Sequence, residues 1–314
     1  MDRKGTIIAN DESTVFQILL WFLLVAAMLS VGARLGTKFA MTRKLAWDDW
    51  LMLAAQSVYL AQCIAISMGA SFGLGKPGNS LSETAIENFL KAEYISFVFQ
   101  LLALALVKWS ISAFIQQLSP SNVHHRRLVW VLRIVVGFWL VSGVVTELFQ
   151  CALPTPWDYV GGNECIDRKS WWIYISAANI ATETCIIALY FLIISKLHMS
   201  LARRTAVLVI FSTRIFVIIL SVAQLIVFLD AFPFVDITVD LWLPTILNQA
   251  VLSASVVTAC GPYLKPFMES LESGVARVDD RDSEEAALAS SSTRDMAVVG
   301  SDGGYYLGHC NNGR

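Results

Sequence analysis

Among the ionisable side chains in or at the edge of stretches where hydrocarbon contact is expected, five stand out. Lys108 falls inside Tyr94–Phe114, Glu183 inside the apolar run 172–194, and Arg214 inside 205–229. Asp48 and Asp49 stand side by side just ahead of the run 50–69. A charge inside a membrane span is expensive, so each of these is either a working group or a partnered structural charge. Other chemistry finds little support. His124 and His125 are adjacent, so they do not share a helix face, and no third ligand lies nearby, which argues against a metal site. The Gly73-Leu74-Gly75-Lys76 turn lacks the spacing of a phosphate loop. No cofactor motif is present.

The elements that must position these groups are membrane helices. The chain has 314 residues, 56% of them hydrophobic and only 15% charged, with a mean hydropathy of +0.59, which marks a polytopic membrane protein. Apolar runs of spanning length at about 16–33, 50–69, 94–114, 129–150, 172–194, 205–229 and 241–262 predict an all-α bundle of seven transmembrane helices. Residues 1–14 form a short polar N-terminus, 15–268 the membrane domain, and 269–314 an acidic, serine-rich tail expected to be disordered. Within the tail, Ser290, Ser291, Ser292 and Thr293 are candidate phosphorylation sites. The lipid bilayer is the evident partner. A net charge of −2 argues against nucleic acid.

Lysine and arginine in the loops set the expected orientation. One set of loops carries Arg34, Lys38, Arg43, Lys44, Arg126, Arg127, Lys196, Arg203 and Arg204, and the tail adds Lys265 and Arg277. The opposite set carries Arg3, Lys4, Lys76, Lys91, Arg168 and Lys169. The richer side should face the cytosol, leaving the N-terminus outside and the C-terminus in the cytosol. On the outer side, Cys151 and Cys165 flank a turn-rich loop with Pro154, Pro156, Gly161 and Gly162. They can close a disulfide worth about 3 kcal/mol, or stand as two free thiols in a turn. Cys63, Cys185 and Cys260 fall in spans as small packing residues, and Cys310 lies in the tail. The outer boundary gathers Trp157, Trp171, Trp172 and Trp242, which form either a ligand mouth or an interfacial belt.

By depth, Lys108, Glu183 and Arg214 all lie within about 6 Å of the midplane. Glu183 pairing with Lys108 or Arg214 leaves one cation over, and that cation can reach toward Asp48 or Asp49. We therefore expect a network of Asp49, Lys108, Glu183 and Arg214. Its role is either to fix helix register or to couple a ligand to a conformational change. Gln56, Gln62, Gln100, Asn179, Gln224, Asn248, Gln249 and Thr258 either line a polar cavity or bond between helices.

Several segments together resemble the fungal rhodopsin-domain family of seven-helix integral membrane proteins, which includes Pth-type receptor-like proteins. They are Trp47-Asp48-Asp49-Trp50, Gly73-Leu74-Gly75-Lys76, Lys108-Trp109-Ser110-Ile111-Ser112, Cys151-x5-Trp157-x7-Cys165, and Gly261-Pro262-Tyr263-Leu264-Lys265-Pro266-Phe267. The likeness covers residues 15 to about 275. Glu183 stands where the family usually has aspartate, and Asn248 and Gln249 where it often has glutamate. Retinal is excluded, because the seventh run, 241–262, contains no lysine for a Schiff base. The resemblance implies a receptor-like or sensory protein of the plasma membrane, with a small-molecule ligand and a G protein as expected partners. A small-molecule transporter or efflux accessory is the alternative, as is a membrane-embedded enzyme acting on a lipophilic metabolite.

Overall fold

The computed structural model describes residues 3–118, 123–159, 165–195 and 212–263, with the side chains of the first helix described from Ser13 onward. All of these residues belong to one compact unit, Met1–Leu264. The expected start of the sixth span at 205 and the tail at 269–314 lie outside the described residues. Seven helices are long and apolar enough to cross a membrane: α1 Arg3–Thr42, α2 Trp47–Phe72, α3 Glu83–Leu118, α4 Val123–Leu148, α5 Arg168–Ser195, α6 Arg214–Ala231 and α7 Ile237–Tyr263. Among the described residues the one β-type pairing is the isolated bridge between Cys151 and Cys165. The protein is a multi-pass membrane protein.

The helices overrun the apolar stretches that announce them. α1 does not stop at Arg34 but continues to Thr42, and α3 begins at Glu83, well ahead of Tyr94. Backbone hydrogen bonds are satisfied within a helix regardless of side-chain polarity, so helix continues wherever a polar residue finds a partner. The first turn of α2 is closed by the Asp49 carboxylate, whose Oδ2 accepts the Ala46 N–H at 2.9 Å. At the other end α2 stops at Gly73, with φ of 135°. A Cβ there would come within 2.6 Å of Leu81, so the turn needs glycine twice over, for its backbone and for its space.

That turn is tied to the start of α7. Gly75 N–H donates to the Thr238 carbonyl at 2.8 Å, Thr238 Oγ1 to the Lys76 carbonyl at 2.6 Å, and Gly78 N–H to Asp236 Oδ2 at 2.8 Å. The α2–α3 and α6–α7 connections therefore share one end of the bundle with the Cys151–Cys165 loop. The α1–α2 connection and the last turn of α7 share the other.

Polarity is arranged as lipid demands. Phe22, Leu29, Phe138 and Val141 face outward, while Gln62, Gln100, Lys108, Glu183, Arg214 and Gln249 are buried. α3 is the most enclosed helix, with 67% of its apolar window buried. Small residues let neighbours close on it. At Gly143 of α4, an added Cβ would lie 2.9 Å from Leu101 of α3 and 3.0 Å from Ile175 of α5. Replacing Gly143 with valine should destabilise the protein by about 1–3 kcal/mol, seen as a lowered melting temperature in detergent. Gly32→Ala, where nothing lies within 4 Å of an added Cβ, should leave the melting temperature unchanged or raise it.

Candidate functional site

Among the described residues, two charge clusters occupy the interior besides the Arg168–Glu93 pair near the disulfide. The first sits at the end that carries the α1–α2 connection. Successive helical residues are about 100° apart, so Asp48 and Asp49 share the inward arc of α2 while Trp47 and Trp50 flank it and face out. Arg34 and Lys38, one turn apart on α1, meet both carboxylates. Arg34 Nη2 lies 2.6 Å from Asp48 Oδ2 and its Nε 3.3 Å from Asp49 Oδ1. Lys38 Nζ lies 2.9 Å from Asp48 Oδ2 and 2.7 Å from Asp49 Oδ2. From α3, Gln117 donates to Asp48 Oδ1 at 2.9 Å and Ser110 to the Asp48 carbonyl at 2.8 Å. From α7, the Tyr263 hydroxyl donates to Asp48 Oδ2, and its ring lies 4.2 Å below the Arg34 guanidinium. Two cations and two carboxylates thus bind α1, α2, α3 and α7 together as a neutral group.

The second cluster lies at mid-bundle. Glu183 of α5 is fully buried and shared between two cations. Its Oε1 is 2.8 Å from Lys108 Nζ of α3 and its Oε2 is 2.7 Å from Arg214 Nη1 of α6. The lysine's other protons go to Thr182 Oγ1 at 2.9 Å and the Asn179 carbonyl at 3.3 Å. Arg214 Nη2 reaches the Ser255 carbonyl of α7 at 3.1 Å. Trp139 of α4 lies beneath the ammonium at 5.7 Å and donates its own N–H to the Ile175 carbonyl. The expected network is therefore divided. Lys108, Glu183 and Arg214 come together, but Asp49 pairs with Arg34 and Lys38 instead. The physical reason is that one bidentate carboxylate accommodates both mid-bundle cations, and α1 brings its own cations to the aspartates.

Between the mid-bundle charges and the disulfide end runs an amide layer. Asn248 Oδ1 of α7 accepts from Gln100 of α3 at 3.1 Å and from Gln224 of α6 at 3.0 Å. Two neighbouring cavities of about 20 Å³ each border this layer and share Phe97, Trp172 and Asn248. That is room for about one water apiece.

At the disulfide end lies an open basin of about 790 Å³, lined by Ile86, Tyr159, Arg168, Phe232, Phe234 and Asp236 among others. Cys151 and Cys165 are joined in a disulfide that closes the α4–α5 connection beside it. Arg168 lies 3.5 Å from Glu93 of α3 and 3.5 Å over the Tyr159 ring. Burial pushes the Tyr159 hydroxyl well above its ordinary range, so it stays protonated and can donate to Glu93 Oε2. The Ser170 hydroxyl holds the exposed Asp167 carboxyl below its ordinary range, a cap on α5.

The four tryptophans expected at this mouth do not line the basin. Trp171 and Trp172 turn into the bundle, Trp171 donating to Glu147 at 3.3 Å and Trp172 stacking on Phe228 at 4.4 Å. Trp157 is half-buried under Lys91, and Trp242 packs against the core. α5 begins at Arg168, so residues 171 and 172 already lie within its first two turns, on the side buried against the bundle. Arg34, Lys38, Arg168 and Glu93 belong to the interior charge pairs but were not among the expected site residues. For the first two, the usable signal is their i,i+4 spacing on a helix one short connection away from two aspartates. Cys63 and Cys260 are buried, whereas Cys185 faces outward.

The sequence profile of the fungal rhodopsin domain matches residues 33–270. The chain belongs to this family. Both charge clusters, the disulfide and the Trp47–Trp50 motif lie within the matched range. A relative from Metarhizium anisopliae, described as a polyenoic acids biosynthesis gene cluster protein, Ba17b, is 25% identical over 271 residues, covering 78% of this chain and 71% of that one. No solved structure matches the chain.

For this fungal rhodopsin-domain protein, Glu183→Gln should be the most damaging single change at mid-bundle. It leaves Lys108 and Arg214 buried without a counter-charge, a loss of about 3–5 kcal/mol. Glu183→Asp keeps the charge but is one methylene too short to hold both cations, so its melting temperature in detergent should fall between the wild type and Glu183→Gln. An Asp variant as unstable as the Gln variant would contradict the charge argument.

Proposed function

We propose that this is a receptor-like sensory protein of the plasma membrane, with the disulfide end outside and the Asp48–Asp49 end in the cytosol. The observation that carries this reading is the contrast between the basin and what lies beneath it. A basin of about 790 Å³ has the dimensions of a small-molecule site. The cavities further in hold about one water each, and the charges around them are paired. A molecule can settle at the mouth above a closely packed, ion-paired interior, an arrangement that suits sensing. The orientation rests on the excess of lysine and arginine in the loops of the Asp48–Asp49 end.

A route for the signal starts in the basin wall. Phe232 packs on Phe234 at 5.6 Å, Phe234 on Phe228 at 5.6 Å, Phe228 on Trp172 at 4.4 Å, and Trp172 on Phe97 at 5.0 Å. Trp172 also borders both inner cavities beside the amide layer. A ligand that shifts Phe234 thus moves aromatic rings on α5 and α6, the two helices that carry Glu183 and Arg214. The expected cytosolic partner is a G protein.

The Metarhizium relative's description supports a second reading, in which the protein serves a secondary-metabolite pathway by binding a lipophilic acid in the same basin. Ile86, Ile166, Phe232, Phe234, Val235 and Ile237 give the wall the apolar surface that the lipophilic part of such a molecule needs, with Arg168, Asp167 and Asp236 as its charged groups. Expression in a reporter yeast carrying fungal Gα subunits separates the two. A receptor should respond to a lipophilic carboxylic acid from the producing fungus, and Trp172→Ala should weaken that response about tenfold or more at unchanged surface amount. Binding without coupling to any α-subunit favours the pathway reading and sinks the receptor one.

A further inference from the structure

A third arginine lies inside the membrane region and belongs to neither cluster. Arg133 of α4 stands ten residues, or about 15 Å, beyond the start of its helix at Val123. Its Nε donates to Ser112 Oγ of α3 at 2.8 Å, and its carbonyl accepts the Trp109 N–H at 3.2 Å. The guanidinium lies 5.3 Å from the centre of the Trp130 ring, and its two remaining amino groups have no hydrogen-bond or ion-pair partner among the described residues. Among the described residues, Arg34, Lys38, Lys108 and Arg214 inside the bundle each have a carboxylate. Arg133 instead borders a groove of about 410 Å³ with Trp47, Leu51, Trp109, Trp130 and Ile134.

This groove opens outward, to the lipid. Trp47 is 74% exposed and Trp130 51%, and both sit on the outer surface of a spanning helix. The helical repeat sets Trp130, Arg133 and Ile134 on one face of α4. On the same face, seven residues and about 10 Å nearer the helix start, stands the exposed Arg126, with Arg127 beside it. With its Nε held by Ser112, the guanidinium borders the groove four residues, or about 6 Å, inside the apolar run that begins at 129, within reach of an anionic headgroup. The geometry points to a binding site for one anionic phospholipid in this groove, its phosphate held by the two free amino groups of Arg133 and its acyl chains lying against Trp47, Trp109 and Ile134. Net charge is what selects the occupant: the phosphate of a zwitterionic phospholipid carries its own ammonium beside it, and a sterol offers the guanidinium no anion at all. The excess of basic residues at this end matches the leaflet where anionic lipids concentrate. The site is separate from the basin and does not depend on the receptor reading.

The test uses the full chain reconstituted with phosphatidylcholine, phosphatidylserine and ergosterol, then released into mild detergent and weighed by native mass spectrometry. Wild type should retain one phosphatidylserine about tenfold in preference to phosphatidylcholine, because only phosphatidylserine brings a net negative charge to the arginine. Arg133→Gln should abolish the preference, Arg133→Lys should keep part of it, and Trp130→Ala should weaken it. Thermal melting of each variant reports whether it is folded. If Arg133→Gln does not fold, the wild-type preference and the Trp130→Ala arm still decide. No wild-type preference, undiminished retention in folded Arg133→Gln, or displacement of the phospholipid by ergosterol overturns the proposal.

Discussion

A carboxylate in the middle of a membrane protein has no water to fall back on, and Glu183 is held there by two cations at once. Its two oxygens face Lys108 and Arg214 at 2.8 and 2.7 Å, so α3, α5 and α6 share one charge centre, and Ser255 brings in α7. Much else follows from that demand for partners. The amide layer of Gln100, Gln224 and Asn248 joins the same helices one level up. The Asp48–Asp49 cluster ties α1 and α2 onto α3 and α7. α3 contributes to all three layers, which accounts for its being the most enclosed helix.

Specificity of packing comes from polar contacts because hydrocarbon offers little of its own. Apolar side chains gain nothing by leaving lipid for a neighbouring helix, whereas a buried charge left alone costs several kcal/mol. Small residues then let the helices approach closely enough for those contacts to form, as at Gly143 between Leu101 and Ile175. Basin and core differ accordingly. The basin wall is stitched by loop hydrogen bonds around Gly75, Gly78 and Thr238, while the core is pinned by ion pairs.

Seven spans, the disulfide and the family were legible in the chain, since each rests on a local pattern: run length, cysteine spacing, short motifs in order. The pairing of Lys108 and Arg214 with Glu183 was half legible. Depth alone brought the three to one level, but depth does not say that one carboxylate can serve two cations. Arg34 and Lys38 were read as loop charges because they follow the apolar run. In fact the helix continues, and their partners sit across a connection of a few residues. Trp171 and Trp172 were set at the membrane boundary by residue type, and the helical phase of α5 turned them inward instead. Such phases depend on neighbouring helices, which composition does not encode.

The distance along the chain between charge partners has a consequence for biosynthesis. Arg34 and Asp48 are 14 residues apart, so α1 and α2 can enter the bilayer as a hairpin that is already neutral. Lys108 precedes Glu183 by 75 residues, and Arg214 follows a further 31 later. At ribosomal speeds of about 5–20 residues per second, α3 waits roughly four to fifteen seconds for its counter-charge. During that interval Lys108 stands in the third helix with its carboxylate partner not yet made, so the order of synthesis delays the closing of the central charge group until the fifth helix arrives.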